Sequence, residues 1–258
     1  MSDSSNADTI SGGLGTKVIG RNVCHYPEVA STMDAARALV RERAAEGTVV
    51  TADRQTAGRG RLGRTWLTPA GSLALSVLLY PKLSELPSLI MLASLAVADA
   101  IRNATGLEAQ IRWPNDVLIR GRKVCGILIE TDVSRGKVRY AIIGIGVNVD
   151  VPAEVLAEVR PPPTSLSAEL GRAVSRLAFA RALLREMDRR YLELRSGGSL
   201  FEAWRDRLVT LGRRVRVTSG EGVFEGVAES VDRDGSLSVR TGDGRLTRVV
   251  AADVTLKE

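Results

Sequence analysis

The stretch from Arg112 to Glu130 reads RWPNDVLIRGRKVCGILIE. Two apolar, β-branched runs begin within it, at Val117–Ile119 and Val124–Thr131. A glycine-containing turn separates them, and a Pro-Asn-Asp turn precedes the first. This pattern predicts short strands joined by tight turns.

The segments on either side of this stretch predict a mixed domain of strands and helices. Further apolar or β-branched runs predict strands at Thr48–Ala52, Ser72–Tyr80, Ile111–Trp113 and Val138–Val149. Apolar residues at helical spacing predict helices at Met33–Glu46, Leu89–Ala104, Ser175–Arg195 and Leu200–Leu208. Gly106 follows one of these helices and is suited to a left-handed C-cap.

The pattern changes after Gly212, where the helices give way to short alternating segments. These segments predict strands at Arg213–Thr218, Gly222–Val231, Ser236–Arg240 and Leu246–Val250, with Asp-Gly hairpin turns among them. The chain is therefore divided into a mixed α+β domain at residues 21–210 and a small β-barrel at residues 211–258. The start, Met1–Gly15, is polar and lacks the apolar core of a signal peptide, so residues 1–20 are predicted to be a disordered tail.

Composition excludes several classes of protein. The 36 Lys+Arg residues exceed the 30 Asp+Glu residues, giving a net charge of +6, which favours an anionic ligand or partner without choosing among nucleotide, nucleic acid and acidic protein. A single histidine excludes a histidine-rich metal centre, and two distant cysteines argue against a disulfide scaffold and suit a reducing cytoplasm. No unbroken apolar run reaches the ~18 residues of a membrane span, so no membrane segment is predicted.

The segment Gln55–Trp66, QTAGRGRLGRTW, is the most unusual in the chain. Its glycines allow a ligand to approach the backbone, and its arginines, Arg59, Arg61 and Arg64, offer forked donors to phosphate or carboxylate. It is not a P-loop, because the G-x-x-x-x-G-K-[ST] pattern is absent. From these residues alone, a solvated basic turn and a nucleic-acid-binding segment remain open beside an anion site.

Three other segments contain candidate functional residues. Trp113 offers a flat apolar face to a bicyclic ligand, and Asp116 is suited to Mg²⁺, either directly or through a water molecule, although a plain tight turn explains both residues equally well. Lys123 lies at the start of an apolar strand, where a lysine is usually a surface residue. The glycines of Gly144–Val149, GIGVNV, indicate close approach of another group to a strand.

Taken in order, these motifs resemble those of the biotin protein ligase family. The resemblance rests on Ser31-Thr32, Gly58–Trp66, Arg112–Ile119, Arg122–Glu130 and Gly144–Val149, and it extends over residues 21–258. It implies an α+β fold in which a class II synthetase-like core, a mixed sheet with flanking helices, precedes a small SH3-like β-barrel. Because only about 20 residues precede the core, we expect the class that lacks an N-terminal DNA-binding domain and binds no specific DNA sequence.

The resemblance implies a two-step reaction in the cytoplasm. Biotin and ATP, with Mg²⁺, form biotinyl-5′-AMP, and a lysine of a biotin carboxyl carrier protein domain then accepts the biotin. The carrier domain would belong to acetyl-CoA carboxylase or a related carboxylase, with no membrane partner, and a homodimer is left open. This chemistry needs no enzyme nucleophile and relies on positioning and positive charge.

The resemblance also implies roles for individual residues. Lys123 and Arg61 are the implied catalytic residues. The implied biotin-binding residues are Ser31, Thr32, Met33, Gln55, Arg59, Gly60, Arg61, Lys123 and Gly126. The implied ATP- and adenylate-binding residues are Arg64, Trp66, Trp113, Asn115, Asp116, Asn148 and Lys257, with Asp116 also implied for Mg²⁺. Three residues depart from the family pattern: Met33 stands where Asn is usual, Arg112 where Lys is commoner, and Cys125 where Gly or Ala is usual.

Two other functions are weighed against this one. A lipoate or octanoate ligase shares the general architecture but lacks the GRGRLGR segment. A non-enzymatic nucleic-acid-binding protein would use the basic surface and the C-terminal barrel. Phe224 is the single aromatic residue after position 210, so that barrel lacks a platform on which bases stack.

Overall fold

The computed structural model describes residues 6–157, 159, 161–219, 222–250 and 252–256. Over these residues the chain forms a seven-stranded mixed sheet with helices on both faces, followed by a five-stranded antiparallel sheet. The predicted α+β class and the change of architecture after Gly212 are confirmed.

The first sheet contains β1 (Val23–Val29), β2 (Val49–Gln55), β3 (Ser72–Leu79), β4 (Gln110–Arg112), β5 (Asp116–Ile119), β6 (Arg122–Ser134) and β7 (Lys137–Asn148). Their spatial order is β1-β2-β3-β7-β6-β5-β4. Strands β1 and β2 are parallel, and the other neighbouring pairs are antiparallel. The strands predicted from Arg112–Glu130 therefore lie side by side at one end of the sheet.

The helices are α1 (Ala7–Ser11), α2 (Thr32–Arg41), α3 (Ser88–Thr105), α4 (Ala153–Leu156), α5 (Leu166–Leu170), α6 (Arg176–Arg195) and α7 (Phe201–Arg205). Helices α3 and α6 pack together over one face of the sheet, while α2 packs against β2, β3 and β7 over the other. Because both faces are covered, β3 is buried along its whole length. Helix α2 ends five residues before the predicted Glu46, because Arg43 has a left-handed φ of 56° that a helix does not accommodate.

Helix α3 is the one candidate membrane span among the described residues. Its 18 residues are long and apolar enough to span a bilayer by length and composition, although serines interrupt the apolar run. However, 67% of the helix is buried inside the protein, as in the core helix of a folded domain. It ends at Gly106, whose φ of 75° confirms the predicted left-handed cap.

The predicted disordered tail is wrong for residues 6–20. Helix α1 and the chain after it bury the side chains of Ile10, Leu14 and Ile19. The carboxylate of Asp188, on α6, accepts hydrogen bonds of 2.8 Å from three successive backbone N–H groups at residues 17–19. Polar composition hides these three apolar anchors, and their partner lies far along the chain. Residues 1–5 lie outside the described residues.

The second sheet contains β8 (Arg214–Ser219), β9 (Gly222–Val231), β10 (Leu237–Thr241), β11 (Leu246–Val249) and β12 (Asp253–Leu256). Their order is β11-β10-β9-β8-β12, with each neighbouring pair antiparallel. The first four strands are those predicted, with small shifts at their ends. Strand β12 was not predicted, and it pairs with β8 at the edge nearest the candidate site.

Candidate active site

A cavity of about 610 Å³ lies where the mixed sheet, the arginine-rich segment and β12 meet. Its walls come from the N-terminus of α2, residues 59–67, the β5–β6 region, the end of β7 and residues 253–255. Every described residue that the sequence implied for the site lines this cavity. Lys257 lies outside the described residues.

Two cations and one carboxylate form the charged centre of the cavity. Strands β5 and β6 form a hairpin, which brings Asp116 near Lys123, and the two atoms Lys123 Nζ and Asp116 Oδ1 are 2.6 Å apart. Arg112 donates to the other oxygen, Asp116 Oδ2, at 2.6 Å. The Lys123 ammonium is thus fixed at the cavity wall with its charge partly exposed to the interior.

This arrangement does not favour the predicted Mg²⁺ contact at Asp116. Both oxygens of its carboxylate are already paired with cations. Within the described ranges, moreover, no group of three or more His, Cys, Asp or Glu side chains is placed to hold a metal ion. A magnesium ion would therefore depend on phosphate oxygens of a nucleotide for most of its ligands.

Trp66 forms part of the cavity floor, over two glycines. A Cβ atom built on Gly146 would lie 2.3 Å from the indole Nε1, and one built on Gly126 would lie 3.0 Å from the indole Cζ3. The Lys123 Nζ lies 5.5 Å from the ring centroid, which is a cation–π distance. The glycines of GILIE and GIGVNV therefore make room for this indole, whose buried Nε1 finds no hydrogen-bond partner among the described residues.

A polar network occupies the end of the cavity at α2. The backbone N–H and the hydroxyl of Thr32 donate to Gln55 Oε1 at 2.9 and 3.1 Å, and Ser76 Oγ donates to Thr32 Oγ1 at 2.8 Å. The Gln55 amide donates in turn to Thr68 Oγ1 at 3.1 Å. Hydroxyl and amide groups held in this way present both donors and acceptors to a small polar ring.

The three arginines of the GRGRLGR segment each have a partner in a different part of the protein. Arg59 pairs with Asp34 at 2.9 Å and with Glu130 at 3.2 Å, and Arg64 pairs with Asp253 on β12. Arg61 donates to the Asn115 side chain at 3.2 Å, and burial lowers the pKa of its guanidinium. These contacts of the three arginines hold the segment in place across the cavity.

Family models match both parts of the chain. Residues 27–148 match the Biotin/lipoate A/B protein ligase family, and residues 210–257 match the Biotin protein ligase C terminal domain. The chain is 35% identical over 250 residues to the bifunctional ligase/repressor BirA of Bacillus subtilis, covering 95% of this chain and 77% of that protein. The chain belongs to the biotin protein ligase family.

Two further comparisons agree with this assignment. The chain is 37% identical over 214 residues to the biotin--[acetyl-CoA-carboxylase] ligase of Paracoccus denitrificans, covering 80% of this chain and 88% of that protein. Its fold matches biotin protein ligase from Aquifex aeolicus in complex with biotin and ATP, with a TM-score of 0.74, 28% identity, and coverage of 92% of this chain and 99% of that one. The protein is therefore an ATP-dependent biotin ligase.

The structure explains the three departures of this ligase from the family pattern. Met33 is buried and lies over Gly144, where a built Cβ would be 2.7 Å from its Sδ, so it packs against the sheet. Arg112 keeps a positive charge on Asp116. Cys125 is fully buried, and this burial raises the pKa of its thiol, so it acts as a small apolar residue.

Two predicted adenylate residues of the ligase line the cavity and also form hydrogen bonds to other parts of the chain. Trp113 is only 2% exposed, and its indole Nε1 donates to the Gly235 carbonyl at 2.8 Å in the C-terminal sheet. Trp113 also lines the cavity, so its stacking on a bicyclic ligand stays a prediction. Asn148 is also buried, and its amide donates to the Thr164 carbonyl at 3.0 Å. Trp113 joins the two sheets, and Asn148 holds the segment before α5.

Removing the Trp113 hydrogen bond is expected to destabilise the protein. Trp113→Phe should lower the free energy of unfolding by about 1–3 kcal/mol, because the Gly235 carbonyl loses its donor and the core loses volume. Trp204→Phe is the matched control, since Trp204 is fully buried but its Nε1 finds no hydrogen-bond partner among the described residues. Urea unfolding of both variants measures the difference, and equal losses would show that the Gly235 bond contributes nothing.

Sequence reasoning missed two groups at the site. Ser76 supports Thr32 from the middle of a buried strand, where a serine in an apolar run is the available signal. Asp253 holds Arg64 from β12, and nothing in the sequence pairs two residues that far apart. The C-terminal sheet therefore forms part of the cavity wall.

Proposed function

We propose that biotin lies with its ring at the Thr32–Gln55 end of the cavity and its carboxylate toward Lys123. The polar network at Thr32 suits the ureido group of biotin, which carries both N–H donors and a carbonyl acceptor. The observation that carries the proposal is the Lys123 ammonium, fixed by Asp116 at the wall of the same cavity.

In the first step, a biotin carboxylate oxygen attacks the α-phosphorus of ATP. The bond from that phosphorus to the bridging oxygen breaks, and pyrophosphate leaves with the electron pair. Lys123 and Arg61 stabilise negative charge on the reacting oxygens, which are the groups whose charge changes in the transition state. Magnesium enters with the ATP phosphates as part of the substrate, and Asp116 acts by orienting Lys123.

In the second step, the neutral amine of a carrier lysine attacks the acyl carbon of biotinyl-5′-AMP. An amide bond forms, the bond from acyl carbon to phosphate oxygen breaks, and AMP leaves while the amine proton passes to water. No side chain of the enzyme forms a bond to substrate in either step. Fixed cations and a cavity that orients the two substrates therefore supply what this chemistry needs from the protein.

The protein substrate we propose is the biotin carboxyl carrier domain of acetyl-CoA carboxylase or a related carboxylase. The Paracoccus relative carries this substrate in its name. A cytoplasmic location fits two cysteines that form no disulfide. The same proposal includes two features of the fold: the five-stranded sheet closes as an SH3-like barrel, and the first domain has a class II synthetase-like core. A homodimer is compatible with this proposal.

Pyrophosphate exchange into ATP tests the first step. The purified protein with MgATP should exchange labelled pyrophosphate into ATP when biotin is added, and lipoate at the same concentration should support no exchange above background. Exchange that depends on lipoate, or on neither acid, would contradict the proposed ligand of the cavity.

Loss of Arg61 is expected to release the intermediate too early. Arg61→Gly removes one charge-assisted hydrogen bond to the acyl-phosphate, which corresponds to about 1.5–3 kcal/mol, or roughly 10–150-fold weaker retention. Adenylate formation should survive, because Lys123 and magnesium remain. The freed anhydride should then biotinylate exposed lysines of albumin added to the mixture, which a blot for biotin measures.

Arg135→Gly is the control for this variant. Arg135 is an exposed arginine at a hairpin turn, with a φ of 50° that glycine accommodates, and it lies away from the cavity. It should leave albumin unlabelled. If Arg61→Gly labels the carrier alone, or forms no adenylate at all, then Arg61 does not retain the intermediate.

A further inference from the structure

Leu62 lies at the tip of the arginine-rich segment in an unfavourable backbone conformation. Its φ and ψ are 56° and 36°, and Gly63 follows with a φ of 73°. The Arg64 N–H donates to the Arg61 carbonyl at 3.2 Å, so residues 61–64 form a type I′ turn. Asn, Asp or Gly is preferred at the first central position of this turn, and a leucine there is strained.

The same residue is also unfavourably exposed. Leu62 is 67% exposed, and Leu67, further along the segment, is 58% exposed, and both border the mouth of the cavity. In two other turns of similar φ values, the residue before glycine is Arg120 or Arg135, and a charged side chain faces solvent there. Only at the cavity mouth does the described chain combine left-handed backbone with an exposed leucine.

Strain and exposed apolar surface are both costs to the free enzyme. Such features are kept where they serve binding. Arg59 and Arg64 beside Leu62 are paired with carboxylates, and Arg61 is hydrogen-bonded to Asn115, so the mouth presents an apolar surface between side chains that already have partners. A partner that covers Leu62 and Leu67 would recover the hydrophobic stabilisation that the free enzyme lacks.

The geometry of the second step identifies that partner. An extended lysine side chain reaches about 6 Å from its Cα to its Nζ by ordinary bond lengths. For the lysine amine to meet an acyl-phosphate held near Lys123, the carrier backbone must enter the mouth of the cavity. The residues that flank the target lysine must then contact the surface around it.

We propose that Leu62 and Leu67 form a docking surface for the protein substrate, and that this surface takes apolar side chains that flank the target lysine of the carrier domain. The inference rests on the proposed function and adds to it how the second substrate is recognised. It assigns recognition to hydrophobic contact at the rim, separate from the charged groups that carry out adenylation.

The test replaces Leu62 with asparagine, which suits a type I′ turn before glycine and removes the apolar side chain. With an apo carrier domain of acetyl-CoA carboxylase as the probe, Leu62→Asn should raise the KM for the carrier roughly 5–30-fold, equivalent to about 1–2 kcal/mol. Leu62→Met keeps an apolar side chain and should stay within about twofold of the wild type. Leu67→Ser, on regular backbone, should raise the same KM.

Hydroxylamine separates docking from chemistry, since it attacks biotinyl-5′-AMP to give the hydroxamate and AMP without any protein surface. Leu62→Asn should form hydroxamate at the wild-type rate. A carrier KM unchanged in Leu62→Asn, or a hydroxamate rate that falls in step with carrier transfer, would overturn the proposal. Wild-type protein that shows no biotin-dependent pyrophosphate exchange would instead overturn the proposed function, and the docking surface with it.

Discussion

Replacing Lys123 with alanine is expected to slow biotin-dependent pyrophosphate exchange by about 10²–10³-fold, the usual effect of removing one fixed donor from a developing negative charge. The Lys123 ammonium lies 2.6 Å from Asp116 at the cavity wall, and no other lysine among the described residues lines the cavity to replace it. The fold should remain intact, because Asp116 keeps its pair with Arg112.

Lys137→Ala provides the matched control for this variant. Lys137 is an exposed lysine at the start of β7 and does not line the cavity. It should exchange pyrophosphate at the wild-type rate, and circular dichroism should show the same helix content in both variants. A wild-type exchange rate in Lys123→Ala would remove Lys123 from the first step.

Replacing Gly146 with alanine is expected to be nearly as damaging, by a different route. The new Cβ would lie 2.3 Å from the Trp66 indole, and the central strand β7 leaves the backbone little freedom to move. The indole must therefore leave the cavity floor, and its cation–π contact with Lys123 would be lost. Displacement of a positioned group by about 1 Å costs on the order of 10²-fold, so adenylation efficiency should fall by at least that factor.

Gly242→Ala is the control for the added methyl group. A Cβ on Gly242 meets no atom within 4 Å, so this variant should adenylate biotin at the wild-type rate. Tryptophan fluorescence should change in Gly146→Ala and not in Gly242→Ala, which tests the movement of the indole directly. Full adenylation efficiency in Gly146→Ala would show that Trp66 plays no part in holding the substrates.

Much of the fold followed from local patterns in the sequence. The strands of Arg112–Glu130, the long amphipathic helix α6 and the Asp-Gly hairpins depend on neighbouring residues, and these were predicted within a few positions. Strand β1 was missed because its sequence, VCHYPEV, has no alternation and includes a proline. It is a strand because it lies at the sheet edge beside β2, where one missing N–H is tolerated.

In the candidate site, too, some features depend on neighbouring residues and others on residues far apart in the sequence. The described residues that the motifs predicted for the site line one cavity. Motif membership did not predict which distant parts of the chain hold these side chains in place. Trp113 belongs to the RWPND motif, yet its indole is buried against Gly235, more than a hundred residues away. The Arg64–Asp253 pair and the Asp188 contacts with the N-terminal segment likewise depend on the folded chain.

The mass of a carrier domain tests the central claim most directly. An apo biotin carboxyl carrier domain of acetyl-CoA carboxylase would be incubated with this protein, biotin and MgATP, and then weighed by mass spectrometry and mapped by proteolysis. We expect the domain to gain one biotinyl group on one lysine, with no gain when ATP or biotin is left out or when lipoate replaces biotin. An unchanged mass under conditions in which the enzyme forms biotinyl-5′-AMP, or biotin spread over many lysines, would contradict a ligase that recognises a single carrier lysine.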